Sequence, residues 1–129
     1  MNAEEIDNIL LSVKRYCGIE DSTEEDSAYT NQIVTHINTV FMILDQLGVG
    51  PEDGFKIVDG TEKWSDFKST GKKPNDFNGV EDYMNLKVKI LFDPQSFTPN
   101  AMEAANKLLA ELEWRLNYRA DANRNGLIS

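Results

Sequence analysis

The chain has 129 residues, 40% of them hydrophobic and 27% charged, with 22 acids against 13 bases and a net charge of −9. That length supports one modest core; no apolar run reaches the roughly 20 residues that span a bilayer, and the acidic start Met1-Asn2-Ala3-Glu4-Glu5 lacks the basic opening of a signal peptide, so synthesis in the cytoplasm is expected. The charge speaks against a DNA clamp, which needs a basic face for phosphates, although an acidic surface along which DNA slides without sticking is compatible with it.

The first predicted helix covers residues 4–16, where Ile6, Ile9, Leu10 and Val13 repeat at the spacing of one buried stripe. Gly18 is its expected left-handed stop, with Ile19 as the accompanying apolar contact. Cys17 lies at the end of this helix and reads as a small half-buried residue. As the only cysteine it has no disulfide partner in the chain, and with a single histidine, His36, it cannot complete the roughly four ligands of a Cys/His zinc site. Residues 20–27 read as a solvated acidic loop leading into the next helix. That second helix runs to about Leu47, with Ile33, Ile37, Val40, Phe41, Leu44 and Leu47 as its stripe, Val34 and Ile43 beside it, His36 off it, and Gly48 as its stop.

From Val49 to Gly79 glycine and proline are concentrated. Two apolar-aromatic pieces, Phe55–Val58 and Trp64–Phe67, flank Asp59-Gly60-Thr61-Glu62-Lys63, the pattern of a β-hairpin. A hairpin alone is marginal in water, so this one is expected to pack on the helices or on another subunit. Ser69 to Pro74, with Lys72 and Lys73, reads as a flexible basic loop. A third helix is predicted over 78–92, apolar on more than one face through Val80, Tyr83, Met84, Leu86, Val88, Ile90 and Leu91, and stopped at Asp93-Pro94. The fourth starts at Thr98-Pro99, with Thr as cap and Pro in the first turn, or at Asn100 with Glu103 three residues on. Its stripe is Met102, Ala105, Leu109, Leu112 and Leu116, while Trp114 and Tyr118 fall on other faces; after Asp121 the chain turns polar. The fold class expected is therefore mainly α: a small bundle of three to four helices with a β-hairpin or long loop inserted over 49–79. Residues 1–121 form the domain and 122–129 a tail.

No catalytic, cofactor-binding or metal-binding residues emerge, so the chain is read as non-enzymatic. Asp121, Asn123, Asn125 and Gly126 start like a calcium loop, but the chain ends before the bidentate acid such a loop needs. The tail has a different character: Arg115, Arg119 and Arg124 gather near the end of an acidic chain, and Leu127 and Ile128 add an apolar tip. That combination suits docking into an acidic or apolar groove of a partner.

Leu86-Lys87-Val88-Lys89-Ile90-Leu91-Phe92-Asp93-Pro94 and Glu111-Leu112-Glu113-Trp114-Arg115-Leu116-Asn117 resemble the corresponding helices of small phage proteins encoded among head–tail joining genes, the connector or adaptor family. Ile9 to Lys14 with Gly18-Ile19, His36-Ile37-Asn38, Leu47 to Pro51 and Trp64-Ser65-Asp66-Phe67 fit the same family in order and spacing. The resemblance implies a helical-bundle subunit of the virion neck. Such subunits form a ring of about twelve copies beneath the portal, extend the DNA channel and present a platform to a stopper or tail-completion protein. By the same analogy Arg115, Arg119, Arg124, Leu127 and Ile128 are the candidates for portal contact. Phe55, Ile57, Trp64, Phe67, Lys72 and Lys73 are those for the ring or the lower neck protein. DNA would pass without specific binding, and no membrane is involved. The competing reading is a generic helical binding module, or an assembly regulator that leaves before the particle is finished.

Overall fold

The computed structural model describes residues 3–19, 24–73 and 75–124. These form six α-helices: α1 (Ala3–Asp7), α2 (Ile9–Tyr16), α3 (Glu24–Gln46), α4 (Trp64–Lys68), α5 (Val80–Phe92) and α6 (Pro99–Arg124), with a short 3-10 turn at Pro94–Ser96. The mainly helical expectation holds.

The opening helix is broken in two. Asn8 is extended (φ −73°, ψ 122°), and its side-chain oxygen accepts the Leu11 N–H, capping α2. A short polar side chain that can bond nearby backbone favours such a cap over helix continuation. The break lets Asn8 Nδ2 donate to the Gly60 carbonyl at 2.9 Å and the Ile9 N–H donate to the Glu62 carbonyl at 3.1 Å. Ile6, expected on the buried stripe, is left 53% exposed. At the other end Gly18 takes φ +78°, and the Ile19 N–H returns to the Lys14 carbonyl, the predicted left-handed stop.

Helix α3 is the centre. Ile33, Ile37, Val40, Phe41 and Leu44 are all buried, and α3 packs against α2 and α5, while α5 packs against α6. Val80, Tyr83, Met84 and Val88 face the core from α5; Ala105, Leu109 and Leu116 do so from α6. Thr98 caps α6, accepting the Ala101 N–H through its hydroxyl, with Pro99 in the first turn. The helix runs on to Arg124, and Ala122 is buried.

The inserted hairpin is not formed: among the described residues there is no strand, only an isolated antiparallel bridge between Asn8 and Lys63. The turn itself exists. Gly60 has φ +82°, and Asp59 Oδ1 accepts both the N–H and the hydroxyl of Thr61. What is missing is the pairing of its flanks. Asn38 of α3 supplies a side-chain amide where a second strand would lie, donating to the Ile57 carbonyl at 3.0 Å and accepting the Ile57 N–H at 2.8 Å. On the far side Asp66 accepts the Lys63 N–H, and Asp7 accepts from the backbone and hydroxyl of Ser65, so residues from Trp64 onward coil into α4.

Candidate functional site

The loop from Val49 to Gly79 is bound to the helices by an aromatic cluster. Phe41 lies 5.0 Å from Phe55, 6.0 Å from Trp64 and 5.2 Å from Phe67, centroid to centroid, and Phe67 stands 4.8 Å from Phe77. Ile57, Trp64 and Phe67 are buried to 2% exposure or less, and Phe55 is half-buried against them. Three of the residues expected to contact a neighbouring subunit are therefore core, and the fourth is packed on it. The cause is size: one small bundle leaves room over α3, and burying each large apolar side chain there is worth about 1.5–3 kcal/mol. Val58, 75% exposed, is what the loop turns outward.

A polar junction ties the rest of the loop to the end of α6. Asp76 is buried. Its Oδ2 accepts the N–H groups of Lys72 and Lys73, both at 2.8 Å, and its Oδ1 accepts Arg119 Nε at 3.1 Å and Asn123 Nδ2 at 2.6 Å. Burial would raise the carboxyl pKa, but these four donors outweigh it and hold Asp76 below the ordinary aspartate value. Lys72 and Lys73 thus meet Asp76 through their backbone; the Lys72 residue is exposed and Lys73 half-exposed. Arg119, a candidate for portal contact, is half-buried and bonded to Asp76 within the chain. The junction also places Asp121 and Asn123 within helix α6 rather than in a calcium-type loop. Among the described residues no three His, Cys, Asp or Glu side chains stand together as metal ligands. Beside the junction lies a cleft of about 240 Å³, lined by Lys68, Lys73, Phe77 and Glu81 among others; Lys68 and Glu81 form an ion pair of 2.6 Å.

Arg115 is exposed and pairs along its own helix with Glu111 at 2.8 Å. Arg124 closes α6; Leu127 and Ile128 lie outside the described residues. Cys17 is free and half-buried, and burial pushes its thiol up to about 11. His36 is half-buried, and burial moves its pKa down.

The uncovered apolar surface lies elsewhere. Trp114 and Tyr118 are 65% and 59% exposed and stack on each other, centroids 5.5 Å apart and planes 15° from parallel. Leu108 on the same helix is 47% exposed, and Met42 on α3 55%. Sequence reasoning did not assign these side chains as contacts, although Trp114 and Tyr118 fall off the predicted core stripe. It gave Asp76, Asn123 and Asn38 no part in tying the loop to the helices.

Internal polar ties and bare outer helix faces define a structural helical unit suited to contact with other proteins. The chain belongs to the phage connector protein family: a profile of that description matches residues 9–123, most of the chain. No curated protein and no solved structure matched it. Membership gives the chain a structural connector role in a phage. Among the described residues no helix is long and apolar enough to cross a membrane.

Proposed function

We propose that this chain is a head–tail connector (adaptor) of the virion neck, acting without catalysis. Copies assemble into a ring beneath the portal, prolong the DNA channel and present a lower surface to a stopper or tail-completion protein. The observation that carries this reading is the family match across residues 9–123. The acidic balance of −9 supports a channel that lets DNA slide rather than bind. Portal contact falls to Arg115, Arg124, Leu127 and Ile128. Arg119 leaves that set because it serves the Asp76 junction. Phe55, Ile57, Trp64 and Phe67 likewise leave the contact set, and exposed Lys72 and Val58 take their place on the loop.

The test is to mix the purified chain with isolated portal rings and follow mass by sedimentation and native mass spectrometry. Ring-stoichiometric loading onto portal is expected. A monomer that ignores portal, or absence of the protein from purified particles, would remove the reading and leave an assembly regulator. Truncation after Arg124 is expected to abolish portal loading while the far-ultraviolet helical signal persists.

A further inference from the structure

Among the described residues two helix faces have no cover, and they differ in kind. The outer face of α3 is uncharged: from Ala28 to Leu44 the sequence contains no Asp, Glu, Lys or Arg, in a chain that is 27% charged. Asn31, Gln32, Thr35 and Met42 on that face are exposed, and Thr39 is half-exposed. The two threonines have already committed their hydroxyl protons. Thr35 Oγ1 donates to the Asn31 carbonyl and Thr39 Oγ1 to the Thr35 carbonyl, each at 3.0 Å. Such a face loses little on leaving water, since burial is costly chiefly for polar groups without partners. Depletion of charge together with an exposed methionine is the composition of an interface core rather than of a solvated helix.

The second face is on α6. It carries the Trp114–Tyr118 stack, and its charges cancel along the helix: Glu103 with Lys107 at 3.4 Å and Glu111 with Arg115 at 2.8 Å. Helix α5 packs against both α3 and α6, so each of these two helices has a flank turned away from their common neighbour. The faces are similar in length: Ala28–Leu44 runs about 24 Å and Glu103–Tyr118 about 22 Å at 1.5 Å per residue.

We infer that the uncharged outer face of α3 in one copy receives the Trp114–Tyr118 face of α6 from the next copy. This rests on the connector reading above. Charge favours a second copy as the occupant. Two chains of −9 repel each other, so they meet at low cost only where each surface is locally neutral, and these two faces are. A basic partner would be drawn to the acidic surface instead. A contact between two different patches is head-to-tail, and repetition of it closes a ring when the rotation permits.

The test uses two full-length variants, Met42→Glu and Trp114→Glu, each placing a charge on one face only. Both side chains are more than half exposed, so unchanged circular dichroism is expected. With portal present, wild type forms rings and each variant alone fails to. Mixed together, the variants form a one-to-one dimer and stop, because one intact face of each kind remains between them. Rings from either variant alone, or a mixture that stays monomeric, overturns the inferred interface while leaving the connector reading in place. A wild type that never self-associates with portal overturns both.

Discussion

Asp76→Asn removes a charge but hardly changes shape, so its effect isolates the junction. All four groups on the Asp76 carboxylate are donors. An amide keeps one acceptor oxygen and turns an NH2 group toward two of them, in either orientation. Hydrogen bonds to a charged group are worth about 1.5–3 kcal/mol each. Two would be lost, but Lys72 is exposed and Lys73 half-exposed, so their backbone N–H groups regain water. Arg119 keeps access to solvent as well. A net destabilisation of about 2–3 kcal/mol follows. For a chain of this size that lowers Tm by about 6–12 °C, read by urea titration and thermal melting of the full chain. The pH dependence has a fixed sign. The folded-state pKa of Asp76 is depressed, so its stabilisation is complete above the unfolded value of about 3.9 and is lost as pH falls through the folded value. The gap between wild type and Asp76→Asn should therefore narrow on acidification below about pH 4. A variant within about 0.5 kcal/mol of wild type at pH 7, or a gap that widens in acid, would refute the account of the junction.

Asn38→Ala leaves the N–H and carbonyl of Ile57 without their amide partner, and a loss of about 1–2 kcal/mol is expected by urea titration. Trp64→Ala, opening the aromatic cluster, should cost about 3–5 kcal/mol, whereas Trp114→Ala should shift monomer stability by no more than about 0.5 kcal/mol; equal effects would contradict the burial of one and exposure of the other. The Cys17 thiol, raised to about 11 by burial, should resist alkylation at pH 8 and react only as the pH approaches that value or the fold is denatured; rapid labelling of the native chain at neutral pH would count against it.

The helices were legible because their signals are local. Gly18 and Gly48 stop α2 and α3 in left-handed conformations, Thr98-Pro99 starts α6, and the α3 stripe from Ile33 to Leu44 is buried as its period implies. The hairpin was misread although its turn is real. Asp59-Gly60 marks a reversal of the chain, but no local pattern tells that Asn38, 19 residues before Ile57, offers the amide that takes the place of a strand. The Asp76 junction was invisible for the same reason. Its side-chain partners are 43 and 47 residues away, and an aspartate in a Gly- and Pro-rich loop looks like ordinary turn chemistry. The partner-contact assignments suffered from a related ambiguity. An aromatic residue in a loop reads equally as core or as interface, and only the space left above α3 decides for Trp64 and Phe67.

The junction also bears on assembly, because the last turn of α6 is where the proposed portal segment begins. The apolar anchorage of that turn is small: among the described residues after Leu116, Ala122 is buried and Ala120 is half-buried against the core. The bonds from Arg119 and Asn123 to Asp76 then restrain its local opening. Trypsin reads such opening at Arg119. When opening and closing are fast, cleavage follows the population of the open form. A junction worth about 2 kcal/mol to that turn gives a rise of about 30-fold in cleavage at Arg119 in Asp76→Asn, since each 1.4 kcal/mol is tenfold. Cleavage after Lys107, upstream on the same helix, should stay near the wild-type rate under conditions where the variant remains folded. A uniform increase at both sites would mean that Asp76 supports the whole bundle rather than the end of α6. No increase would mean that packing alone fixes the end of the helix. With the expected pattern, a buried carboxylate fixes the point at which the proposed portal segment begins, as the proposed ring requires if every copy is to present that segment at the same place.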